Sequence, residues 1–501
     1  MCLSLATARA ISRSRLAKAQ ALGDLDGPVF TPYEFGAVGN GSTDDSAALV
    51  AATEHARVQG GVVTIPPGRF LLSRYLEVRQ GVRGVVGAGG IIQLNAARGD
   101  VGILVDSVRD LGEGRTFLIS GLTIDCGDEE SASTNAIVLN DCSGCEVSDN
   151  YVFNLVRGYG VLVRALTKST EVLTIARNLI APVPRESPNC SGIAIHGSTS
   201  AEIMAKAYDV WRLKFALPRP RYSASKIVVA NNTVLGGYYG ISLSGASECS
   251  LRGNLLRENV RNISIQHRSD SNIVDQNDCF DSTSSAIHLA YGSSENRVAF
   301  NRIVTARACG EGLLQAYVGT RNNVFLENSI AVLGEALPKY HVYVAVHANG
   351  NRIEGNRLGG ACGRAYIAVE SAFSSKVRRT EHRNFGLSAD LDGFARSGTH
   401  GVVLTGNSIS ATSNVPCVFL AQVSDAWGVH ALRGCELVQN RLRATGDSPA
   451  VVLAESTEGA LCGVLCRNNL WLGGGRGMIS APRGIEHFST FTGNKSFRID
   501  R

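Results

Sequence analysis

The sequence has few of the features that place a protein in a membrane or on a nucleic acid. No apolar run among its 501 residues reaches the roughly 18 residues that a membrane-spanning helix needs. Basic residues do not form runs, and 49 Lys and Arg against 44 Asp and Glu leave a net charge of only +5 at pH 7. Nucleic-acid-binding domains usually carry a concentrated basic surface. We therefore expect neither a membrane nor a nucleic acid as a partner.

The N-terminal stretch lacks the pattern of a secretory signal. Its letters, MCLSLATARAISRSRLAKAQALGDLDG, contain no basic segment followed by an apolar one. We expect a basic helix or an ordered tail over residues 1–30. The pattern leaves three locations open, namely the cytoplasm, a virion, and export by a non-classical route.

The cysteines do not form a disulfide framework or a clear metal site. They number 13 and are scattered along the chain. The motif CSGC at 142–145 has the spacing of a zinc knuckle, but no second pair with that spacing lies near it. Buried free thiols are the expected outcome. No cofactor or metal site is predicted, although the sequence remains compatible with a divalent cation such as calcium.

Asparagine reveals an internal repeat. Short alternating segments, such as those beginning at Ile241, Ile263 and Ile287, are each followed by turn residues and then by asparagine. Most intervals between the repeated asparagines are 22 to 29 residues, and two are about twice as long, which indicates one unmatched or one loop-inserted turn. The repeated positions are Asn150, Asn178, Asn232, Asn254, Asn277, Asn301, Asn328, Asn356, Asn407, Asn440, Asn469 and Asn494.

A period of this length with β-branched strands predicts a solenoid. The L-x-x-L-x-L frame of leucine-rich repeats is absent, so the pattern favours a parallel β-helix. Asparagine suits the turn because its amide can hydrogen-bond to the copy in the next coil. Cys145, Cys249 and Cys435 replace the first of two asparagines in other coils. That position is therefore expected to be small, inward-facing and structural.

A second pattern precedes the repeats, over residues 34–72, EFGAVGNGSTDDSAALVAATEHARVQGGVVTIPPGRFLL. Thr43 or Asp44 can cap a helix, which is followed by a glycine turn, a strand, a Pro-Pro-Gly turn and another strand. The stretch closely resembles the opening of the pectate-lyase-like right-handed parallel β-helix proteins. That group includes polygalacturonase-like hydrolases, polysaccharide lyases, alginate epimerases and phage tailspike depolymerases.

The resemblance implies an all-β solenoid, a single-stranded right-handed parallel β-helix with an N-terminal capping helix. We expect the β-helix domain to span residues 31–501, with insertions at about 181–226 and 372–400. The Asp44–Asp45 pair is then a helix cap and first-turn charge rather than a catalytic pair.

Aligning the coils on the asparagines predicts columns of outward side chains. One column contains His288, Gln315 and Tyr343, and the next contains Gln266 and Tyr317; in earlier coils the second column holds Arg164 and His196. Amides beside aromatic rings suit pyranose sugars, which have apolar faces and hydroxyl rims. The alternative is an ordinary solvated sheet face.

The insertion at 181–226 offers a second candidate surface. It mixes basic residues with aromatics, including Trp211 and Arg212. Loops inserted into a solenoid often carry function, and this composition suits an acidic polysaccharide. The alternative is a loop that packs on a neighbouring subunit. The insertion at 372–400 has a similar basic composition.

Two chemistries can be assigned to candidate residues. Hydrolysis needs two carboxylates, for which the candidates are Glu258, Asp281 and Glu311, with Asp270 in a following turn. β-Elimination from a uronate needs a base and a group that neutralises the carboxylate. Candidates for these roles are His288, Tyr317, His267 and Arg268, with Gln266 or Gln315 as neutraliser. The calcium-binding aspartates of pectate lyases and the N-T-D and G-H-G motifs of polygalacturonases are not evident.

The sequence therefore predicts a carbohydrate-active enzyme that cleaves a long, acidic polysaccharide by lyase or glycoside hydrolase chemistry. One alternative is a non-catalytic glycan-binding or tailspike-like adhesive fibre, expected to be a homotrimer. Another is a uronate C5-epimerase, which abstracts the same proton as a lyase and then returns one.

Overall fold

The structure, a computed structural model, describes most of the chain and divides it into two compact units. The first unit comprises residues 1–199 and 220–260, and the second comprises 200–219 and 261–501. The described residues are 27–95, 101–109, 116–127, 134–183, 189–198, 220–334, 337–371, 398–425, 428–430, 432–454, 463–473, 479–480 and 490–497.

The first unit contains three parallel sheets whose strands follow one another in chain order. The first sheet consists of Val29–Phe30, Val62–Ile65, Gly84–Gly87, Phe117–Ser120, Ser143–Ser148, Thr170–Ala176, Val228–Ala230 and Ser250–Arg252, with Ala224–Ser225 and Ala246–Ser247 alongside. The second consists of Asn40–Asp44, Arg69–Leu72, Ile91–Leu94, Thr123–Asp125, Tyr151–Leu155, Leu179–Pro182, Thr233–Leu235 and Leu255–Arg257. The third consists of Leu76–Val78, Val101–Asp106, Thr134–Asn140, Arg157–Arg164, Asn189–His196 and Tyr239–Ser244.

The second unit repeats this arrangement. Its first sheet consists of Ile273–Asp275, Arg297–Ala299, Val324–Leu326, Arg352–Glu354, Val403–Thr405, Glu436–Val438, Leu465–Arg467 and Thr490–Thr492. Its second sheet consists of Asp278–Phe280, Arg302–Thr305, Ser329–Val332, Arg357–Gly360, Ser408–Ala411, Arg441–Arg443, Leu470–Leu472 and Lys495–Phe497. Its third sheet consists of Arg261–Gln266, Ser285–Leu289, Gly312–Tyr317, Tyr340–Ala345, Ala365–Glu370, Val418–Ala421, Val451–Ala454 and Ile479–Ser480.

Two short strand pairs accompany the sheets of the second unit. Thr399–His400 runs parallel to Leu432–Arg433, and Val423–Asp425 runs antiparallel to Gly428–His430. In the long sheets, apolar side chains of successive strands stack inside the coil, as Ile287 and Leu314 do in the third sheet. Both are completely buried. The alternation of inward apolar residues with outward ones is the pattern that the sequence predicts.

The asparagine ladder predicted from the repeat is confirmed within each unit. The side-chain Nδ2 of each asparagine donates to the Oδ1 of the next over 2.9–3.0 Å. In the first unit the ladder contains Asn150, Asn178, Asn232 and Asn254, and in the second it contains Asn277, Asn301, Asn328, Asn356, Asn407, Asn440, Asn469 and Asn494. A second ladder in the second unit joins Asn272, Asn296, Asn323 and Asn351.

The two long intervals of the repeat are coils with inserted loops, not unmatched turns. Asn178 donates directly to Asn232, and Asn356 donates directly to Asn407. Because ladder partners occupy adjacent coils, each long interval adds residues to one coil without adding a turn.

The cysteines that replace asparagine are buried, as predicted for an inward structural position. Cys145, Cys249 and Cys435 are each no more than 2% exposed. All eleven cysteines among the described residues are buried free thiols.

An α-helix forms at the predicted place near the N-terminus. A 3-10 helix, Pro32–Phe35, precedes it, and the α-helix spans Ser46–Gln59 with Asp45 rather than Thr43 or Asp44 at its N-cap. Asp44 accepts the Ser46 N–H at 3.0 Å. Burial alone would raise the pKa of Asp44, but hydrogen bonds from Ser46 and Ser73 outweigh it and lower the pKa to about 2. This carboxylate thus has a structural role at the helix N-terminus.

In the described part of the chain, no helix has the length and apolar character needed to cross a membrane.

Replacing one ladder asparagine is expected to destabilise the second unit strongly. Asn328 accepts bonds from Asn301 and donates to Asn356 and to the Val298 carbonyl. Asn328→Ala therefore leaves several buried groups without partners and should cost about 2–4 kcal/mol of unfolding free energy. Urea unfolding measures this cost. Ser329→Ala, at the exposed neighbouring position, is the control; equal midpoints for the two variants would contradict the role of the ladder.

Candidate functional site

The predicted columns of side chains have the expected register. His288 is paired with Ser264 on one side and Gln315 on the other, and Gln315 is paired with Tyr343. In the first unit, Arg164 is paired with His196. Ile287 and Leu289 flank His288 and are completely buried in the coil interior, so strand alternation directs His288 away from that interior.

The side chains of this column are more deeply buried than the sequence suggested. Ser264, His288 and Gln315 are 0–1% exposed, and Tyr343 and Gln266 are also buried. Tyr317 is half-buried. The interpretation as an ordinary solvated face is therefore wrong, and the side chains do not form an open patch either. The outward column is a second buried environment, made largely of polar groups.

Several polar atoms in this buried environment have no hydrogen-bond partner. Ser264 Oγ accepts a bond from Gln266 Nε2 and lies 3.2 Å from His288 Nδ1. The opposite ring nitrogen, His288 Nε2, has no partner, and neither amide atom of Gln315 has one. An unpaired buried polar group costs about 1–3 kcal/mol. Such groups are therefore rare in folded proteins and call for an explanation.

The electrostatics of the site favour a neutral histidine. Burial lowers the pKa of His288 well below its ordinary value, and the nearby Arg261 and His267 lower it further. The Tyr317 ring lies 6.0 Å from the His288 ring. The arrangement places a neutral imidazole, one of its nitrogens unpaired, beside a phenol and a free amide. These groups can accept a proton, donate a proton and bind an oxygen.

Sequence reasoning missed a buried carboxylate near this column. Glu370 is completely buried, and it accepts the hydroxyls of Tyr340 at 3.1 Å and Tyr343 at 2.8 Å. The two tyrosine rings are stacked, 4.7 Å apart. Arg364 lies 3.5 Å from the carboxylate. Burial, and then the charge of Glu370, raise the pKa of Tyr343 well above its ordinary value.

A signal for Glu370 was present in the sequence. The register pairs Tyr317 with Ala345 and Ala345 with Glu370. Extending the second predicted column by one coil therefore leads to this residue.

The carboxylates proposed for hydrolysis engage different partners. Glu311 is paired with Arg261 at 3.7 Å. Asp281 has a left-handed backbone and accepts the Ala306 N–H at 2.9 Å. Arg268 also has a left-handed backbone, in the turn after the strand Arg261–Gln266, and is half-buried.

The remaining predicted residues belong to the first unit or lie outside the described part. In the first unit, Arg164 donates from Nε to Asn140 Oδ1 at 2.9 Å. The half-buried His196 packs against the edge of Tyr159 at 5.8 Å, and burial together with the Arg164 charge lowers its pKa to about 4. Trp211, Arg212 and most of the two insertions lie outside the described residues.

Two family models match parts of the chain. Residues 33–158 match the family described as rhamnogalacturonase A/epimerase, pectate lyase-like. Residues 220–362 match the family described as periplasmic copper-binding protein (NosD). No curated protein matches the chain in sequence.

The solved structures that this chain resembles have low sequence identity to it. A tailspike protein of E. coli bacteriophage HK620, solved with a pentasaccharide, is 11% identical, with a TM-score of 0.53 over 93% of this chain and 80% of that chain. The A-module of the Azotobacter vinelandii mannuronan C-5 epimerase AlgE6 is 15% identical, with a TM-score of 0.48 over 94% of this chain and 100% of that chain. PfbA, a surface adhesin of Streptococcus pneumoniae, is 11% identical, with a TM-score of 0.40 over 91% of each chain.

The parallel sheets and these matches define a class, the parallel β-helix proteins. Within that class, residues 33–158, which include the stretch 34–72, match a pectate-lyase-like family model.

One of the two matching families is described as copper-binding, but the described side chains do not form a copper site. Among the residues that the structure describes, no group of three or more His, Cys, Asp or Glu is placed to hold a metal ion. The described residues do not fit a copper site, and no step proposed below depends on copper.

The buried neutral state of His288 predicts a pH dependence of stability. The unfolded imidazole binds a proton below about pH 6.5, whereas the folded one does not, so stability falls as pH falls below that value, by up to about 1.4 kcal/mol per pH unit. Burial also lowers the pKa of His196 and of His341, so His288→Asn should reduce this slope between pH 7 and pH 5 in urea unfolding without abolishing it. His400→Asn, at an exposed position, is the control. A His288→Asn slope equal to that of the wild type would contradict the assignment.

Proposed function

We propose that the protein acts on a long, acidic polysaccharide, with His288 as the base that removes a proton from the sugar ring. The observation that carries this proposal is the pair of unpartnered buried groups, His288 Nε2 and the Gln315 amide, on adjacent strands. A substrate would supply the partners that the protein does not. Because this face is buried, a substrate that reaches Nε2 must displace the groups that cover it.

The geometry supports β-elimination best. The contact between Ser264 Oγ and His288 Nδ1 orients the ring, and in the tautomer protonated at Nδ1 the Nε2 atom is a free base. Nε2 takes the C5 proton of a uronate, the electron pair forms the C4–C5 double bond, and the bond from C4 to the glycosidic oxygen breaks. The Gln315 N–H stabilises the charge that develops on the substrate carboxylate. The Tyr317 hydroxyl protonates the departing oxygen.

A uronate C5-epimerase would use the same first step. It differs because a proton returns to C5 from the opposite face, and the Tyr317 hydroxyl is the candidate donor. Hydrolysis has less support, since Asp281 and Glu311 are engaged by different groups.

A non-catalytic glycan-binding fibre is the second candidate function. It is supported by the likeness in fold to a tailspike protein whose structure contains a pentasaccharide. Such a fibre is expected to be a homotrimer.

Two finer features of the fold are part of the proposal. We infer that the β-helix is right-handed and that the helix Ser46–Gln59 caps its first coil. Leu49, Ala52 and Ala56 of this helix are completely buried, as the inner face of a cap requires.

His288→Gln is expected to lower turnover of a polyuronate by about 100-fold or more, the usual contribution of a general base. Ultraviolet absorbance of the unsaturated product measures elimination, new reducing ends without that absorbance indicate hydrolysis, and solvent deuterium at C5 without cleavage indicates epimerisation. His400→Asn is the control. Wild-type binding with none of these products would favour the fibre, and full activity in His288→Gln would exclude His288 as the base.

Gln315→Leu separates a functional role of this amide from a structural one. Because neither amide atom has a partner, an apolar side chain of similar size should keep or raise the melting temperature. Turnover should fall by about 10- to 100-fold, since a donor to the developing charge is lost. A variant that melts much earlier than the wild type would show that Gln315 serves the fold.

A further inference from the structure

We propose that Lys339 and Arg364 recognise the carboxylate of an acidic sugar that is bound apart from the reacting one. This inference rests on the proposed function and names the residues that would select an acidic chain. They belong to a group that we call the cation–aromatic cluster, which consists of Lys339, Tyr340, Tyr343, Arg364, Glu370 and Phe419.

Arg364 is held in place by rings on the protein side. Its guanidinium carbon lies 5.1 Å from the Phe419 ring centroid and 5.8 Å from that of Tyr340. Its Nη1 atom lies 3.5 Å from Glu370, which is completely buried, whereas the Arg364 side chain is 38% exposed. The guanidinium thus contacts two rings and one buried carboxylate of the protein, and the side chain is partly exposed to solvent. An arginine fixed in this way loses little side-chain entropy when it binds a carboxylate in two-pronged fashion.

Lys339 adds a second cation to the same ring. Its Nζ atom lies 5.2 Å from the Tyr340 ring centroid. The backbones of the two cationic residues are adjacent, since the Arg364 N–H donates to the Lys339 carbonyl at 3.1 Å. Within the described part of the chain, no carboxylate lies within ion-pair distance of Lys339. The six residues of the cluster contain two cations and one carboxylate and so carry a net charge of +1, beside the partly exposed Arg364 side chain.

A carboxylate is the ligand that this arrangement fits. The excess charge selects an anion, and the flat guanidinium matches the flat carboxylate in shape and hydrogen-bond direction. The half-buried Phe419 offers an apolar surface of the kind that packs on a sugar ring. A neutral sugar could use that surface but would leave the excess charge uncompensated.

The cation–aromatic cluster lies some distance from His288, the proposed catalytic base. Arg364 directly precedes the strand Ala365–Glu370, which is three strands along the third sheet from the strand that holds His288. With strands about 4.8 Å apart, the separation is roughly 14 Å. The carboxylate bound here would therefore belong to a sugar a few residues along the chain from the one that reacts. These side chains would determine specificity and would not take part in bond breaking.

Binding to two matched polymers tests the inference. The first polymer is a polyuronate, and the second is the same polymer with its carboxyl groups reduced to alcohols. The full-length wild-type protein should bind the polyuronate at least about tenfold more tightly than the reduced polymer. Lys339→Met should lose most of this preference and leave Glu370 paired with Arg364. Lys495→Met, at an exposed position of the second sheet, is the control and should keep it.

A second variant, Arg364→Lys, tests the role of the arginine and keeps its positive charge. Arg364→Lys should weaken polyuronate binding by about tenfold, since one amine replaces the two-pronged contact. Arg302→Lys is its control, because Arg302 also lies over a ring, 5.3 Å from that of Phe280, and is paired with Asp278 at 3.5 Å. Melting temperatures of both variants should stay near that of the wild type.

The outcomes distinguish this inference from the proposed function. A wild-type protein that turns over the polyuronate while Lys339→Met and Arg364→Lys keep the full preference would overturn the inference alone. A wild-type protein that neither binds nor alters any polyuronate would overturn both. Loss of preference in the cluster variants, with both controls unchanged, supports the inference.

Discussion

Hydrogen bonds between stacked asparagines are the constraint on which the rest of this structure depends. In each unit the amide of one coil donates to the amide of the next, and the backbone N–H of each asparagine donates to the same oxygen, as Asn301 does to Asn328. Any slip of one coil against another would break these buried bonds and would also move the inward apolar residues out of register. The ladder therefore determines which side chains lie side by side on the outer faces. The adjacency of His288 and Gln315 follows from it.

On the outer face of the third sheet in the second unit, buried polar groups without hydrogen-bond partners lower the stability of the fold. A parallel β-helix is stable when its interior is apolar and its turns are hydrogen-bonded, and both conditions are met elsewhere in the chain. His288 and Gln315 are buried with unpaired polar atoms. Stability given up in this way is characteristic of sites that bind or transform a ligand. The cation–aromatic cluster on the same sheet has its carboxylate and both tyrosine hydroxyls paired, so its excess charge, and not an unpaired atom, indicates a ligand.

The sequence predicted the parts of this structure that depend on periodicity. The register of His288 with Gln315 and Tyr343 could be counted from the asparagines, because each ladder partner fixes one residue of the neighbouring coil. The repeat could not predict that these residues are buried, since their burial depends on what packs against the outer face. The columns predicted from the sequence also ended one coil before the coil that contains Glu370. The identity of the substrate is least predictable, because one scaffold supports many activities.

The most direct test of the account is a crystal structure of His288→Gln with a polyuronate oligosaccharide bound. The account predicts that a sugar carboxylate lies within hydrogen-bond distance of the Gln315 amide, with C5 of that sugar facing the side chain at position 288. An oligosaccharide bound elsewhere, with Gln315 still buried and unpaired, would contradict it.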